Sequence, residues 1–125
     1  ELFFEKRIKQ TVAELFISTD DGTYGTKGFT TDIAKDAIKK TQFDLVLTCG
    51  PELMMKKLLD MSKGIAFQAS LERFMKCGFG ICGQCCIGEG LRVCTEGTIF
   101  YVKILKKIKD FGIFKRDASG KKIIF

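Results

Sequence analysis

Three short apolar runs in the first 70 residues are typical of buried β-strands. They lie at 15–19 (LFIST), 44–48 (DLVLT) and 65–69 (IAFQA). Runs of this length, rich in branched residues and bounded by turn residues, are the pattern of strands that are covered on both faces. Between the runs the apolar spacing changes to that of helices, which are predicted over 32–40 and 52–62.

The order of these elements predicts the fold class. Strand, helix, strand, helix, strand is the pattern of a parallel sheet with right-handed crossovers, so we expect an α/β fold. A further helix is predicted over 2–12, and a further strand over 98–102. Because a sheet of three strands leaves an exposed edge, we expect that strands upstream of this chain complete it.

The last part of the chain is amphipathic and basic. Leu105, Ile108 and Phe111 have the spacing of one helix face. From 103 to 122 the chain carries eight Lys and Arg residues against Asp110 and Asp117, in a chain of net charge +6. Such a segment binds nucleic acid, binds an acidic protein face, or is simply a solvated helix face. Because the chain has no recognisable nucleic-acid module, no nucleic-acid partner is expected.

A cytoplasmic protein is expected, because clustered cysteines in a chain without a secretory signal more often bind metal in a reducing compartment. Hydrophobic residues make up 46% of the chain and charged residues 29%, which suits one domain, or one domain with a small appendage. No apolar run approaches the roughly 18 residues of a membrane span, so no membrane partner is expected. The first residues, ELFFEKRIKQ, are charged and lack the apolar core of a secretory signal.

Four of the six cysteines lie in the ten residues CGFGICGQCC, which begin at Cys77. With the next cysteine they form the spacing C-x4-C-x2-C-x8-C, which comprises Cys77, Cys82, Cys85 and Cys94. The first three follow the plant-type ferredoxin spacing for a [2Fe–2S] cluster. The intervening glycines allow the loop to approach a cluster closely, and we expect Phe79 and Ile81 to exclude water from the sulfurs.

Two other uses of these cysteines stay open. Cys82-x2-Cys85 is an acceptable zinc half-site, which Cys77 and Cys94 would complete, although the chain has no His for a mixed site. Disulfides are disfavoured because the cysteines are too clustered to tie distant segments together. Cys86 follows a predicted ligand directly, so it is either a small buried side chain or a substitute for Cys85.

The carboxyl ends of the predicted parallel strands are the expected place for a nucleotide. Asp20 and Asp21 follow the first strand, and either shape a turn or accept hydrogen bonds from ribose hydroxyls. Cys49, Gly50 and Pro51 follow the second strand. Cys49 is either a buried core residue before a turn or part of the ligand crevice.

Several motifs together resemble one family. The strand end CGP, the segment SLERFMKCGFGICGQC, the later VCTEGTIF and the loop STDDGTYGTKGFTTD are similar to the C-terminal half of the electron-transfer subunit of dihydroorotate dehydrogenase. This family belongs to the ferredoxin–NADP reductase-like proteins. The small subunits of sulfide dehydrogenases, anaerobic sulfite reductases and cytoplasmic hydrogenases share the same terminal module and stay as alternatives.

The resemblance implies three domains: an FAD-binding barrel, a pyridine-nucleotide domain and a [2Fe–2S] module. Electrons from the flavin of the catalytic subunit would pass through the cluster to FAD and reduce NAD+ in pyrimidine biosynthesis. The resemblance makes the cysteines at 77, 82, 85 and 94 the cluster ligands, and it places 49–51 near the nicotinamide and 20–21 near a ribose. No residue is expected to act as a general acid or base.

This chain lacks two motifs of the family, and their absence limits the cofactors that we expect it to bind. The flavin motif and the Gly-rich loop that opens the nucleotide domain are absent, so FAD and NAD are not expected to bind well to this chain alone. We expect 1–70 to be the C-terminal part of a nucleotide-binding domain, 71–102 the cluster module and 103–125 a basic tail. A zinc-stabilised binding module and a truncation product without function are the competing hypotheses.

Overall fold

The computed structural model describes residues 3–125. Within them no helix is long and apolar enough to cross a membrane. The chain forms two compact units, of which one ends at Lys40 and the other comprises Thr41–Phe125. The predicted division into 1–70, 71–102 and 103–125 stays a prediction.

The first unit contains two helices and two very short strands. Its elements are α1 (Glu5–Lys9), β1 (Ser18–Thr19), β2 (Thr26–Lys27) and α2 (Thr30–Lys40). The strands β1 and β2 pair in parallel. Helix α2 has an acidic residue in its first turn and lysines in its last turn, which complements the helix dipole.

The first predicted strand differs from the observed structure. Only Ser18–Thr19 of 15–19 is extended, and it pairs with β2 rather than with the second predicted strand. Phe16 is 60% exposed, so the apolar run lacks the cover that a central strand requires. The helix predicted over 2–12 is likewise only the short α1 in the described residues.

A three-stranded sheet organises the second unit. The strands β3 (Leu45–Cys49) and β4 (Ala66–Ser70) pair in parallel and are connected through helix α3 (Glu52–Met61). This β–α–β unit is the one that the sequence predicts. The third strand is β7 (Ile99–Tyr101), which pairs antiparallel with β4. The sheet is therefore mixed, with the order β3–β4–β7: the predicted parallel pairing is observed between β3 and β4, and the strand predicted over 98–102 joins them antiparallel.

One face of this sheet carries the core and the other face is open. Phe67 and Phe100 are fully buried, on the same side as the apolar residues of α3. Burial of a large apolar side chain stabilises the fold by about 1.5–3 kcal/mol. On the opposite face Leu45, Leu47 and Tyr101 are exposed, with Leu47 at 68%.

The basic tail is part of the second unit. Helix α5 (Val102–Leu105) follows the sheet directly, and a hairpin of β8 (Phe114–Arg116) and β9 (Lys122–Ile124) comes after it. Leu105, Ile108 and Phe111 are all buried. The sequence predicted correctly that these three residues share an inward face, although the helix ends at Leu105 and turns continue the segment.

Candidate metal centre

A short hairpin brings the last predicted ligand back to the cysteine loop. Strand β5 (Cys86–Ile87) pairs with β6 (Leu91–Arg92), and helix α4 (Val93–Glu96) follows. The backbone N–H of Val93 donates to the carbonyl of Cys85 at 3.3 Å. Cys94, on the first turn of α4, therefore lies beside Cys85.

The four cysteines of the ferredoxin-like spacing form two pairs. The thiols of Cys77 and Cys82 interact, and the backbone N–H of Cys82 donates to Sγ of Cys77 at 3.5 Å. The thiols of Cys85 and Cys94 are close enough to interact, and this interaction raises the pKa of Cys94. Cys94 also lies within electrostatic reach of Cys77, so the two pairs belong to one site.

Backbone N–H groups of the loop point at the sulfurs. The N–H of Cys82, followed by that of Phe79, lowers the pKa of Cys77 to about 6. A second N–H, from Gln84, donates to Sγ of Cys82 at 3.5 Å. Hydrogen bonds of this kind favour the thiolate of Cys77 over its thiol. The thiolate is the form of cysteine that binds metals. The pKa of Cys94 is raised instead, first by the hydrogen bond with Cys85 and then by burial.

These opposite shifts predict unequal reactivity in the metal-free chain. A thiol ionises as the pH rises through its pKa, so labelling of Cys77 by iodoacetamide should be half-maximal near pH 6. The midpoint for labelling of Cys94 should lie above that of an ordinary thiol, because its pKa is raised. Mass spectrometry of peptides labelled between about pH 5 and pH 10 measures both. Equal midpoints for the two residues would contradict the arrangement, and labelling in urea is the control.

An ion pair anchors the loop that connects the first two cysteines. The guanidinium of Arg92 donates to the carbonyl of Gly80 at 3.2 Å and pairs with Glu96 at 2.7 Å. The hydrogen bonds from Arg92 lower the pKa of Glu96 to about 2. Gly80 has φ +87°, and a Cβ there would lie 3.0 Å from the side chain of Thr95. The sequence reasoning did not predict that Arg92 and Glu96 support the cysteine loop. Their i, i+4 spacing could have indicated an ion pair on one helix face.

The surroundings of the loop differ from the expectation. Phe79 is 65% exposed and Ile81 80% exposed, so the prediction that they exclude water from the sulfurs is wrong. Their positions on a surface loop leave both side chains pointing away from the core. Cys86 is half-buried with its Sγ 4.0 Å from the carbonyl of Gly90, and burial raises its pKa.

The donor set contains the ligands that a two-iron cluster requires. Among residues 3–125, no group of three or more His, Cys, Asp or Glu side chains is placed to hold one metal ion. Four thiols in two adjacent pairs are the ligands that a [2Fe–2S] cluster requires, since its two irons together bind four thiolates. The residues present therefore fit this cluster.

The five predicted nucleotide contacts fall in two places. Asp20 and Asp21 are in the first unit, where the carboxylate of Asp21 accepts hydrogen bonds from the backbone and the hydroxyl of Thr23 at 2.9 and 2.8 Å. These bonds lower the pKa of Asp21 and show that it shapes the turn. Cys49 lies at the end of β3 and is exposed, so the interpretation as a buried core residue is wrong.

A cavity adjoins the end of β3 in the second unit. Its volume is about 490 Å³, and Gly50 and Pro51 line it together with Glu72, Lys115 and Phe125. The last two residues come from the C-terminal hairpin, which sequence reasoning did not connect with this strand end. Two of the five predicted nucleotide contacts thus line a cavity.

A buried ion pair joins the start of α3 to the segment that leads into the cysteine loop. The carboxylate of Glu52 accepts two hydrogen bonds from the guanidinium of Arg73, one of them at 2.8 Å, and a third from the backbone N–H of Gly112 at 2.8 Å. The side chains are 3% and 2% exposed. The guanidinium also lies 5.6 Å from the ring centre of Phe125. One pair thus connects three segments that are distant in sequence.

Comparison with known proteins shows what the cysteine site is similar to. Residues 72–106, which contain all four paired cysteines, match the iron–sulfur cluster binding domain of dihydroorotate dehydrogenase B. The family resemblance predicted from the sequence is confirmed. The probable dihydroorotate dehydrogenase B (NAD(+)) electron transfer subunit of Methanocaldococcus jannaschii is 53% identical over 100% of this chain and 49% of its own length. The subunit of the same name from Pyrococcus furiosus is 41% identical over 97% of this chain and 47% of its own length.

A solved structure has a similar fold. The match has a TM-score of 0.61 and 26% identity over 75% of this chain and 34% of the other. That structure is of an NADH-dependent reduced ferredoxin–NADP oxidoreductase, and it was solved for insight into flavin-based electron bifurcation. The chain spans about half the length of the curated relatives it matches.

Proposed function

We propose that this chain is the cluster-binding part of a dihydroorotate dehydrogenase electron-transfer subunit. Electrons from the flavin of a catalytic subunit would pass through a [2Fe–2S] cluster to FAD and then reduce NAD+, in the cytoplasm, during pyrimidine biosynthesis. The observation that carries the proposal is the pairing of Cys77 with Cys82 and of Cys85 with Cys94. These four thiols lie inside the segment that matches the family's iron–sulfur domain.

Each part of the site has a role in this proposal. The four thiolates would hold the cluster, which supplies one-electron transfer when it is bound. The loop N–H groups of Cys82 and Gln84 donate to the sulfurs of Cys77 and Cys82, and the first of these hydrogen bonds lowers the pKa of Cys77. Arg92 fixes the loop through Gly80. None of these residues acts as a general acid or base, because the chemistry of dihydroorotate would belong to the catalytic subunit.

The proposed function also assigns roles to the segments around the cluster. Residues 1–70 would complete a parallel-sheet nucleotide-binding domain, with 71–102 as the cluster module and 103–125 as its basic tail. Cys49, Gly50 and Pro51 at the end of β3 would face the nicotinamide, and the cavity beside them supports this role. Asp20 and Asp21 would lie near a ribose of the dinucleotide.

The proposal is tested on the chain purified without oxygen. We expect a coloured protein with about two irons and two sulfides per chain, and an electron paramagnetic resonance signal that appears on reduction with dithionite. Co-expression with the catalytic subunit should yield a complex in which dihydroorotate reduces the cluster. A colourless chain with about one zinc would overturn the proposal in favour of a zinc-stabilised module.

A further inference from the structure

A basic hollow lies on the surface of the second unit, beside the cysteine site. Its volume is about 850 Å³. The residues that define it here are Leu91, Arg92, Ile104, Lys106, Lys107 and Lys109. Ile104 and the three lysines are exposed, because their neighbours Leu105 and Ile108 take the inward positions of this segment. The hollow therefore has an apolar lining and a cationic rim.

The charge of the hollow is not neutralised by the acidic residues of its segment. Asp110 is buried and accepts a hydrogen bond from the backbone of Gly88 at 2.6 Å. Asp117 accepts hydrogen bonds within its own turn, from Ser119 and Lys121. Both carboxylates are thus held by the fold, and the lysines point to solvent.

Two glutamates also line the hollow and reduce its charge only in part. Glu96 is paired with Arg92. Glu89 lies 3.9 Å from Lys109, in a pair whose side chains are about nine-tenths exposed, so the contact is weak. With Lys106 and Lys107 added, four cations face two carboxylates.

The hollow and the cysteine loop share a wall. Arg92 lines the hollow and donates a hydrogen bond to Gly80, which lies between Cys77 and Cys82. On either side of Gly80 the side chains of Phe79 and Ile81 are exposed. An apolar tip and a cationic rim therefore adjoin each other at the place where electrons would enter or leave.

We propose that the basic hollow and the exposed tip formed by Phe79 and Ile81 are the docking surface for an acidic face of a redox partner protein. The proposal rests on the proposed function, in which that partner is the flavin-containing catalytic subunit. Complementary charge steers encounter and sets orientation, and an apolar centre provides the contact area. Docking here brings the partner to the thiol pairs rather than to the distant end of the unit.

A protein fits this surface better than a nucleic acid does. Glu89 and Glu96 line the hollow and would repel a phosphate backbone, whose binding depends on neutralisation by Lys and Arg. Apolar surface is offered by Leu91 and Ile104 in the hollow and by the loop tip. A protein partner can bury this surface, whereas a phosphate backbone gains nothing from it. The surface thus combines features of a protein interface.

The test measures binding of the full cluster-loaded chain to the catalytic dihydroorotate dehydrogenase subunit at about 50 and about 300 mM NaCl. We expect Lys106→Glu with Lys107→Glu to weaken binding at least about tenfold at low salt, since two reversed charges of roughly 0.7 kcal/mol or more each amount to this factor. The matched control is Lys39→Glu with Lys40→Glu. It makes the same change of net charge on exposed positions of α2, and its affinity should stay within about twofold of the unmodified chain.

Each outcome bears on the proposal. Unchanged binding by the Lys106/Lys107 variant, equal loss in both variants, binding that does not fall with salt, or no binding at all would overturn it. Binding of a DNA duplex that depends on Lys106 and Lys107, with catalytic-subunit binding unaffected, would assign the hollow to nucleic acid instead. The electron paramagnetic resonance signal of the reduced chain reports the cluster separately, so failure of docking and failure of the proposed function are distinguishable.

Discussion

A Cys85→Ser variant is expected to lose nearly all of the bound iron and sulfide, together with the visible colour of the purified chain. Cys85 is buried, its thiol interacts with that of Cys94, and its carbonyl accepts a hydrogen bond from the backbone N–H of Val93 at the start of α4. A serine hydroxyl is a far weaker iron ligand than a thiolate because it does not ionise at neutral pH. Iron and sulfide analysis of anaerobically purified protein, with the absorption spectrum, measures the effect.

The neighbouring cysteine provides the matched control. Cys86→Ser makes the same chemical change one residue away, at a side chain that lies near Gly90 rather than with the thiol pairs. This variant should keep its iron, its sulfide and its spectrum. The reverse result, with iron lost from Cys86→Ser and kept in Cys85→Ser, would show that Cys86 is the ligand and that the proposed pairing is wrong.

A Glu52→Gln variant is expected to lower the free energy of unfolding by about 3–5 kcal/mol, the cost of leaving one member of a buried ion pair without its partner. The guanidinium of Arg73 is 2% exposed, so water does not replace the lost carboxylate. The new amide still offers an oxygen to the backbone of Gly112, which confines the change to the charge. Urea unfolding of both proteins, followed by far-UV circular dichroism, measures the difference.

Two further variants isolate the contribution of the buried ion pair. Glu72→Gln removes an exposed carboxylate beside Arg73 and should change the unfolding free energy by less than about 0.5 kcal/mol. Adding Arg73→Met to Glu52→Gln removes the orphaned charge and should restore part of the loss, since apolar replacements of buried pairs are often tolerated. A loss below about 1 kcal/mol in the single variant would mean that Glu52 and Arg73 are solvated in solution.

The features that the sequence predicted correctly depend on local spacing. The cysteine spacing places four thiols within one loop and one returning hairpin, and the structure pairs them. The β3–α3–β4 unit was predicted because an apolar strand, the turn at Gly50 and Pro51 and an amphipathic helix follow one another directly. The shared face of Leu105, Ile108 and Phe111 also follows from spacing alone, even though helix α5 ends at Leu105.

The features that were missed depend on contacts between distant residues. The chain reverses direction between β4 and β7, so that β7 pairs antiparallel with β4. No local sequence pattern indicates which strand a segment will pair with. Glu52 and Arg73 are 21 residues apart, and the Glu52 contact with Gly112 spans 60 residues. The exposure of Phe79 and Ile81 was mispredicted because apolar character does not decide which side of a loop faces water.

The place of the basic tail in the core has a consequence for the order of synthesis. The backbone N–H of Gly112 donates to the carboxylate of Glu52, and the ring of Phe125 lies against Arg73, so the support of the cysteine segment includes residues that the ribosome adds after the cysteines. The four thiols therefore leave the ribosome before the second unit can close around them. Because a domain folds as a unit, the nascent chain carries these cysteines on an unfinished fold until translation reaches the hairpin. We expect that a stalled or shortened message yields exposed, oxidisable thiols rather than a smaller working module.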